Sequence, residues 1–514
     1  VVAAWADPGR PEHQLHQEVC GPVGLHAPAA EHVREFAEPA GDVVDDLLLC
    51  GPGLQILRRG ERGAENLQVL RVYTPTRRLE FPLKDEVSDP REATKPPLGD
   101  TNEPVRRLPR HEKGDPRALH PRAREGDVDR ENTMPRFDPR LGPDVAASLE
   151  YHRARPEITS AQHLASLEEE AACEALGTAR VYLDLRYWIF LRDADLGKPQ
   201  KPVHAKLLEE ILRGVAEGRF VCPITEAVFF EVDRQGNTER RMQTVRMIDR
   251  LCRGIVIKNS CYRAVCEIHD FFEAASVRQE LPTVPCRRVW VRPYSFLGTP
   301  QISGWGAAED LAINKAFLSY AWTRSLEDLL TDTPVPDGSS DDALRANAVR
   351  ITESSAKHVS EMRSFEQVFA DEVAGLIDAH RAEIGHAFRP YAGAMLQAAG
   401  ADSHDPSTVE QHALNLACSA IATPKPRRAF PLIRILAGLH AFIRWQRQRA
   451  FTFNDIFDLR HAAAAIPYCD VFLTEKFVKT ACTSSLLDFG TAYGTRIICD
   501  DDEALDAVSR LAAT

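Results

Sequence analysis

Apolar residues fall into two patterns between residues 179 and 276, and again after 429. Short continuous runs, Ala179-Arg-Val-Tyr-Leu183, Phe220-Val-Cys222, 255–258, Val471-Phe-Leu473 and Thr495–Cys499, predict buried strands. Runs spaced three and four apart predict helices over 203–217, 238–252, 430–443, 476–487 and 502–512. In the first of these, Leu207, Leu208, Ile211, Leu212 and Val215 share one face. Thr159 is expected to cap a helix over 159–176, and Thr225 another after the stop at Pro223. Pro467 is expected to end the helix that begins near Asn454. Apolar strands alternating with amphipathic helices imply an α/β fold around a central parallel sheet.

The pattern divides the chain. Residues 134–178 read as a helical lead-in, 179–276 and 429–514 as two parts of one α/β unit, and 277–428 as a large insertion between them. The insertion opens with a proline-rich, loop-like piece. It then carries helical spacing over 307–330, 342–382 and 407–421, interrupted by the turn-forming Pro334–Asp341. It offers no chemistry of its own and is expected to act as a helical cap or a surface for a protein partner. Residues 1–133 lack sustained periodicity beyond short pieces such as Val43–Leu49, and they hold 15 of the 34 prolines and no methionine before Met134. They are expected to be an over-extended gene start or a disordered Pro/Arg-rich arm.

Composition narrows the function classes. At 514 residues and 44% apolar content the chain can bury a sizeable core. A net charge of -12 argues against bulk electrostatic coating of nucleic acid while leaving room for a local basic patch. No apolar run approaches the ~20 residues of a membrane span. The twelve cysteines are scattered without a CxxC pair, which fits reduced core thiols and a cytoplasmic setting.

The candidate chemistry is acidic. Asp455, Asp458 and His461 recur every three residues, which places them on one face of a helix whose Ala462–Ala465 run permits close packing. Asn454 or Asp455 could equally cap that helix. Asp470 opens and Glu475 follows the strand Val471–Leu473, Asp184 ends the strand Ala179–Leu183, and Glu231 follows Phe229 and Phe230 on a helix that must face the core. Arg240, Arg241 and Arg246 are either solvated or phosphate-binding. Arg444, Trp445, Arg447 and Arg449 form either a basic helix end or an aromatic and cationic platform for a nucleic-acid strand.

In the order and spacing of Asp184, Glu231, Asp458 and the Asp470/Glu475 pair, the chain resembles the PIN-domain nuclease superfamily. The resemblance spans residues 179–276 and 429–512 and leaves the helical insertion outside. It implies a PIN-like three-layer α/β fold and a metal-dependent endoribonuclease acting on single-stranded RNA, of the toxin or defence type, with an antitoxin as a further partner. Asp184, Asp458 and Asp470 would be metal ligands, and Glu231 and Glu475 ligands or orienters of the attacking water. His461 and Asp455 would support them, and Arg241, Trp445 and Arg447 would contact RNA. The family commonly carries aspartate where Glu475 stands, which keeps open a catalytically degenerate RNA-binding or scaffold protein. Hard carboxylate oxygens favour Mg2+ or Mn2+ over zinc. A small-phosphoester hydrolase fits less well, because Asp184-Leu-Arg186 lacks a second aspartate and no glycine-rich loop follows.

Overall fold

The computed structural model of the chain describes residues 68–74, 77–83, 144–276, 287–297, 302–332, 339–391, 405–423 and 426–513. Its first elements are two antiparallel strands, β1 at Gln68–Thr74 and β2 at Arg77–Leu83. Their register sets Leu70 opposite Phe81 and Val72 opposite Leu79. This is a strand alternation within a region expected to have none. The rest of residues 1–133, including the expectation of a mistaken gene start or a disordered arm, lies outside the described residues.

The remaining strands frame the molecule. β3, Ala179–Leu183, β4, Phe220–Val221, β5, Val256–Ile257, and β6, Trp290–Val291, precede the long helical region. β7, Val471–Leu473, and β8, Arg496–Ile498, follow it. Four of them make a parallel sheet in the order β4-β3-β7-β8. Ile224 adds a parallel bridge to Val256, and β5 pairs antiparallel with β6. The chain therefore builds outward from β3 on one flank, leaves, and returns on the other flank as β7 and β8. Val181, Tyr182, Leu183, Phe472, Leu473 and Ile498 are buried, as continuous apolar strands covered on both faces require. Away from this sheet the described chain is mostly helical.

Local sequence sets the helix boundaries. Thr159 and Gln162 form a reciprocal capping box at Ser160–Leu176, and Thr225 caps Glu226–Asp233. Pro467 does not stop its helix. Phe453–Tyr468 runs one residue past it, and the chain leaves at the extended Cys469, whose N–H closes on the Ala465 carbonyl at 2.8 Å. A proline in the last turn removes a single donor, which the helix tolerates there. The expected run over 342–382 is two helices, Ser339–Lys357 and Phe365–Ala379, because Ser364 turns extended and caps the second. The expected 476–487 helix is likewise shorter, ending at Cys482, and the segment containing β6 pairs with β5 instead of forming part of a loop.

The lead-in helices are packed onto the insertion. His152 Nε2 and His163 Nε2 lie 3.0 and 2.9 Å from Ser319 Oγ on the Ala307–Trp322 helix. All three side chains are buried. Burial first, then neighbouring cations, push His152 down to about 3, and burial with Lys315 pushes His163 down to about 4. A histidine depressed in the folded state contributes stability that is present above its ordinary value and lost as pH falls through the folded one. The urea midpoint should therefore fall between pH 6.5 and about 4, and a His152→Gln/His163→Gln variant should show a shallower fall over that window. An unchanged slope in the variant would contradict the neutral histidine pair.

Candidate functional site: acidic residues at the strand ends

The site begins where β3 and β7 end side by side. The Asp184 N–H donates to the Leu473 carbonyl at 3.1 Å, so the residues after both strands emerge at one edge of the sheet. Asp184 is the N-cap of the Leu185–Asp195 helix, and its Oδ1 accepts from the Tyr187 N–H at 3.4 Å. The side chain is buried, and its Oδ2 has no hydrogen-bond partner. Glu475 is exposed and occupies the N-cap position of Lys476–Cys482 without making a side-chain cap bond. Between β3 and β7 the order of strand addition reverses, and an open α/β sheet leaves a ligand crevice at that place.

Two helices bring further groups to this edge. The Glu226–Asp233 helix carries Glu231, and the Phe453–Tyr468 helix carries Asp458 and His461. Ala462, Ala463, Ala464 and Ala465 are all buried, so the second helix packs closely without long side chains in between. His461 Nε2 lies 2.6 Å from Glu231 Oε2, and His461 Nδ1 lies 2.7 Å from the Tyr182 hydroxyl. That hydroxyl is 2.8 Å from Thr225 Oγ1. Tyr182 and Thr225 were not anticipated from sequence. Tyr182 lies in an apolar strand run, and Thr225 is accounted for by its capping role.

Asp184, Glu231, Asp458, Glu475 and His461 share one electrostatic environment. Burial raises Asp184 to about 7, with Glu231 and Glu475 adding to the rise against His461 and the Tyr187 N–H. Burial raises Asp458 to about 8, with Glu475, Asp184 and Glu231 adding and His461 opposing. Burial pulls the His461 imidazole down, but its bond to Glu231 and the charges of Asp184 and Asp458 outweigh this, and it is raised. A protonated His461 donates from both ring nitrogens, to Glu231 and to the Tyr182 oxygen.

Several expected site residues lie elsewhere. Asp470 opens β7 and so stands at the opposite end of the strand from Glu475. Its carboxylate accepts from the Arg180 N–H at 2.7 Å and from the Arg180 guanidinium at 2.9 Å, tying β7 to β3. It is not a ligand of this cluster. Asp455 forms a capping box with Thr452 and pairs with Arg449, so it caps its helix and does not support the site. The Arg241 guanidinium donates to the Asp233 carbonyl at 3.1 Å, which ties its helix to the preceding one. Trp445 stands edge-on to Phe365 with centroids 6.4 Å apart. Arg447 lies 5.7 Å over the Trp445 ring and donates to the Met362 carbonyl at 3.4 Å. These contacts dock one helix end on another and do not form a platform for a strand.

The donor set suits a hard divalent cation. It is all carboxylate oxygen apart from His461, which is already bonded at both nitrogens, and a buried carboxylate oxygen without a partner is available on Asp184. No three ligand atoms of the cluster lie within 4.8 Å of one another; among the described residues that spacing occurs at His269, Asp270 and Glu273. Arg288 already fills that second group, at 2.5 Å from His269 Nδ1 and 3.4 Å from Glu273. Magnesium retains several waters and takes one or two protein carboxylates directly, so a spread set can hold it partly through water. No family model, curated protein or solved structure matches this chain.

Two measurements follow from this geometry. Raised acids stabilise the fold below their ordinary value and lose that contribution as pH rises through the folded value, here from about 4 to 7 and 8. A cation needs these carboxylates ionised, so Mn2+ binding should release protons at pH 7 and tighten as pH rises from 6 to 8.5. Calorimetry in buffers of different ionisation enthalpy reads this directly, and pH-independent binding would contradict it. Asp470→Ala should cost roughly 1 kcal/mol in urea unfolding, since the lost pair is partly solvated, and should leave Mn2+ binding unchanged. Loss of Mn2+ binding in that variant would restore Asp470 as a ligand.

Proposed function

We propose that this chain is a divalent-metal-dependent endonuclease that hydrolyses phosphodiester bonds in single-stranded RNA, on a PIN-like fold interrupted by a helical insertion. The observation that carries the reading is the convergence of Asp184, Glu231, Asp458 and Glu475 on the crevice between β3 and β7. Burial there, with the neighbouring carboxylates adding to it, raises two of the aspartates to about 7 and 8. Acids forced together at this cost mark a place where cationic charge is missing.

Mg2+ or Mn2+ bound there would neutralise phosphate charge, activate water and stabilise the leaving oxygen. Asp184 and Asp458 are assigned as its ligands, since their ionised forms gain most from a nearby cation. Glu475, exposed at the mouth, is assigned to orient the water. Glu231 is fixed in place by His461, and His461 in turn by Tyr182. This chain of bonds holds one carboxylate steady while substrate enters. Arg241, Trp445 and Arg447 are engaged in packing, so the RNA backbone must be met by other cations. Arg186 and Lys201, which pair with Asp501 beyond β8 at 3.7 and 2.6 Å, lie at the same sheet edge and are partly exposed.

A degenerate RNA-binding protein is the second reading. It is favoured by His461, whose raised imidazole puts an internal cation among Glu231, Asp184 and Asp458. Cleavage of a labelled single-stranded RNA by the full chain, with Mn2+ or with EDTA, separates the two. The nuclease reading expects cleavage that EDTA abolishes, that falls by roughly 100-fold or more in Asp184→Asn and in Asp458→Asn, and that falls by about 10–100-fold in His461→Ala. Retained RNA binding without cleavage would select the degenerate reading. Equal cleavage by wild type and folded variants would remove the site assignment altogether.

A further inference from the structure

The Phe453–Tyr468 helix has a second face, turned away from Asp458 and His461. Ile456, Leu459, Arg460 and Ala463 on that face line a partly open pocket of about 30 Å³. The Ser260–Ser276 helix contributes Ser260 and Arg263 to its wall, and the Pro431–Trp445 helix contributes Leu432, Leu436 and His440. His380 and Phe451 complete it. Among the described residues that line it, two are arginines, two are histidines and none is a carboxylate.

Arg263 is the anomaly. Its side chain is fully buried, and Nε, Nη1 and Nη2 all lack hydrogen-bond partners. Its carboxylate partner is Glu226, whose Oε1 is 3.6 Å from Nη2 and accepts from the Ser260 N–H at 2.9 Å, and whose buried Oε2 makes no hydrogen bond. Glu267 carries a further carboxyl in this region, but it accepts from the Leu432 N–H at 3.0 Å and from the Tyr468 hydroxyl. His380 is buried as well, with its Nδ1 lacking a hydrogen-bond partner and 3.9 Å from Glu383. Proteins do not bury five guanidinium N–H groups without acceptors, because the desolvation is not recovered. A planar, forked donor set lining a cavity that holds a second arginine and no carboxylate is complementary to a small oxyanion, whose oxygens can accept from it in pairs.

We infer that this cavity is a binding site for a compact oxyanion of the phosphate class, held by Arg263 and Arg460 with Ser260 and His380 as further hydrogen-bonding groups. It is separate from the carboxylate cluster, although the two sites share one helix. A phosphate-class anion at Arg460 would brace that helix from behind, one turn or less from Asp458 and His461. The inference stands whether or not the chain proves to be a nuclease.

Thermal unfolding of the full chain in inorganic phosphate, against chloride at matched ionic strength, tests it. Wild type should gain on the order of 2 °C or more in Tm at saturating phosphate, since a ligand that binds only the folded state stabilises it by mass action. Sulfate should act similarly. Arg460→Gln, on a half-buried side chain at the cavity wall, should remove the gain, and Asp184→Asn should retain it. Arg263→Gln should also remove it if that variant folds; Arg460→Gln and Ser260→Ala keep the test decisive if it does not. No phosphate-specific gain in wild type would overturn the inference. So would a gain that survives Arg460→Gln, as exclusion of phosphate from the surface would give.

Discussion

Burial of carboxylates that the fold holds together at the ends of β3 and β7 is the constraint on which the rest depends. Asp184 is fixed at the end of β3 and Asp458 by a helix packed through its alanine face, while Glu475 after β7 is exposed at the mouth. Burial, with neighbouring carboxylates adding, raises Asp184 to about 7 and Asp458 to about 8, and the surrounding acids outweigh burial in raising His461. Without a cation such a site is most stable as a protonated cluster. It is least stable at high pH without a cation. The polar chain Thr225–Tyr182–His461–Glu231 meets at the Tyr182 hydroxyl and sets the position of the only one of these carboxylates held by a histidine.

Much of this was legible from residues. The strand Ala179–Leu183 and the aspartate that ends it, the helix 238–252 and the short strand before Glu475 needed only apolar patterning and turn chemistry, because strands buried on both faces carry no polar positions to confuse the pattern. Asp458 and His461 were correctly placed on one face by their spacing of three. The same spacing wrongly included Asp455, whose position at the third residue after Thr452 gives it a capping role that outranks the shared face. Asp470 and Glu475 are only five residues apart and looked like a pair. A three-residue strand between them is enough to put them at opposite ends of the sheet. Local sequence cannot show which end of a strand faces the neighbouring acids; that depends on pairing with a residue 290 positions away.

What sequence could not reach was long-range and polar. Arg263 is completely buried, beside residues of two other helices that sequence spacing does not bring together. Glu226, in the first turn of its helix, is buried and shared between Ser260 and Arg263. Tyr182 gave no sign of carrying a functional hydroxyl. The basic segment around Trp445 was the opposite case, an attractive nucleic-acid pattern whose members are used to dock helices. Composition and spacing identify what a side chain could do, and the packing of distant elements decides whether it is free to do it.

The central claim is that the acids at the ends of β3 and β7 form a divalent-cation site. Anomalous diffraction from crystals of the full chain grown with Mn2+ tests it most directly. The account predicts a manganese peak within bonding distance of the Asp184 and Asp458 carboxylates, with Glu475 and Glu231 in direct or water-bridged contact. A peak confined to His269, Asp270 and Glu273, or none at either cluster at saturating Mn2+ and pH 8.5, would contradict it.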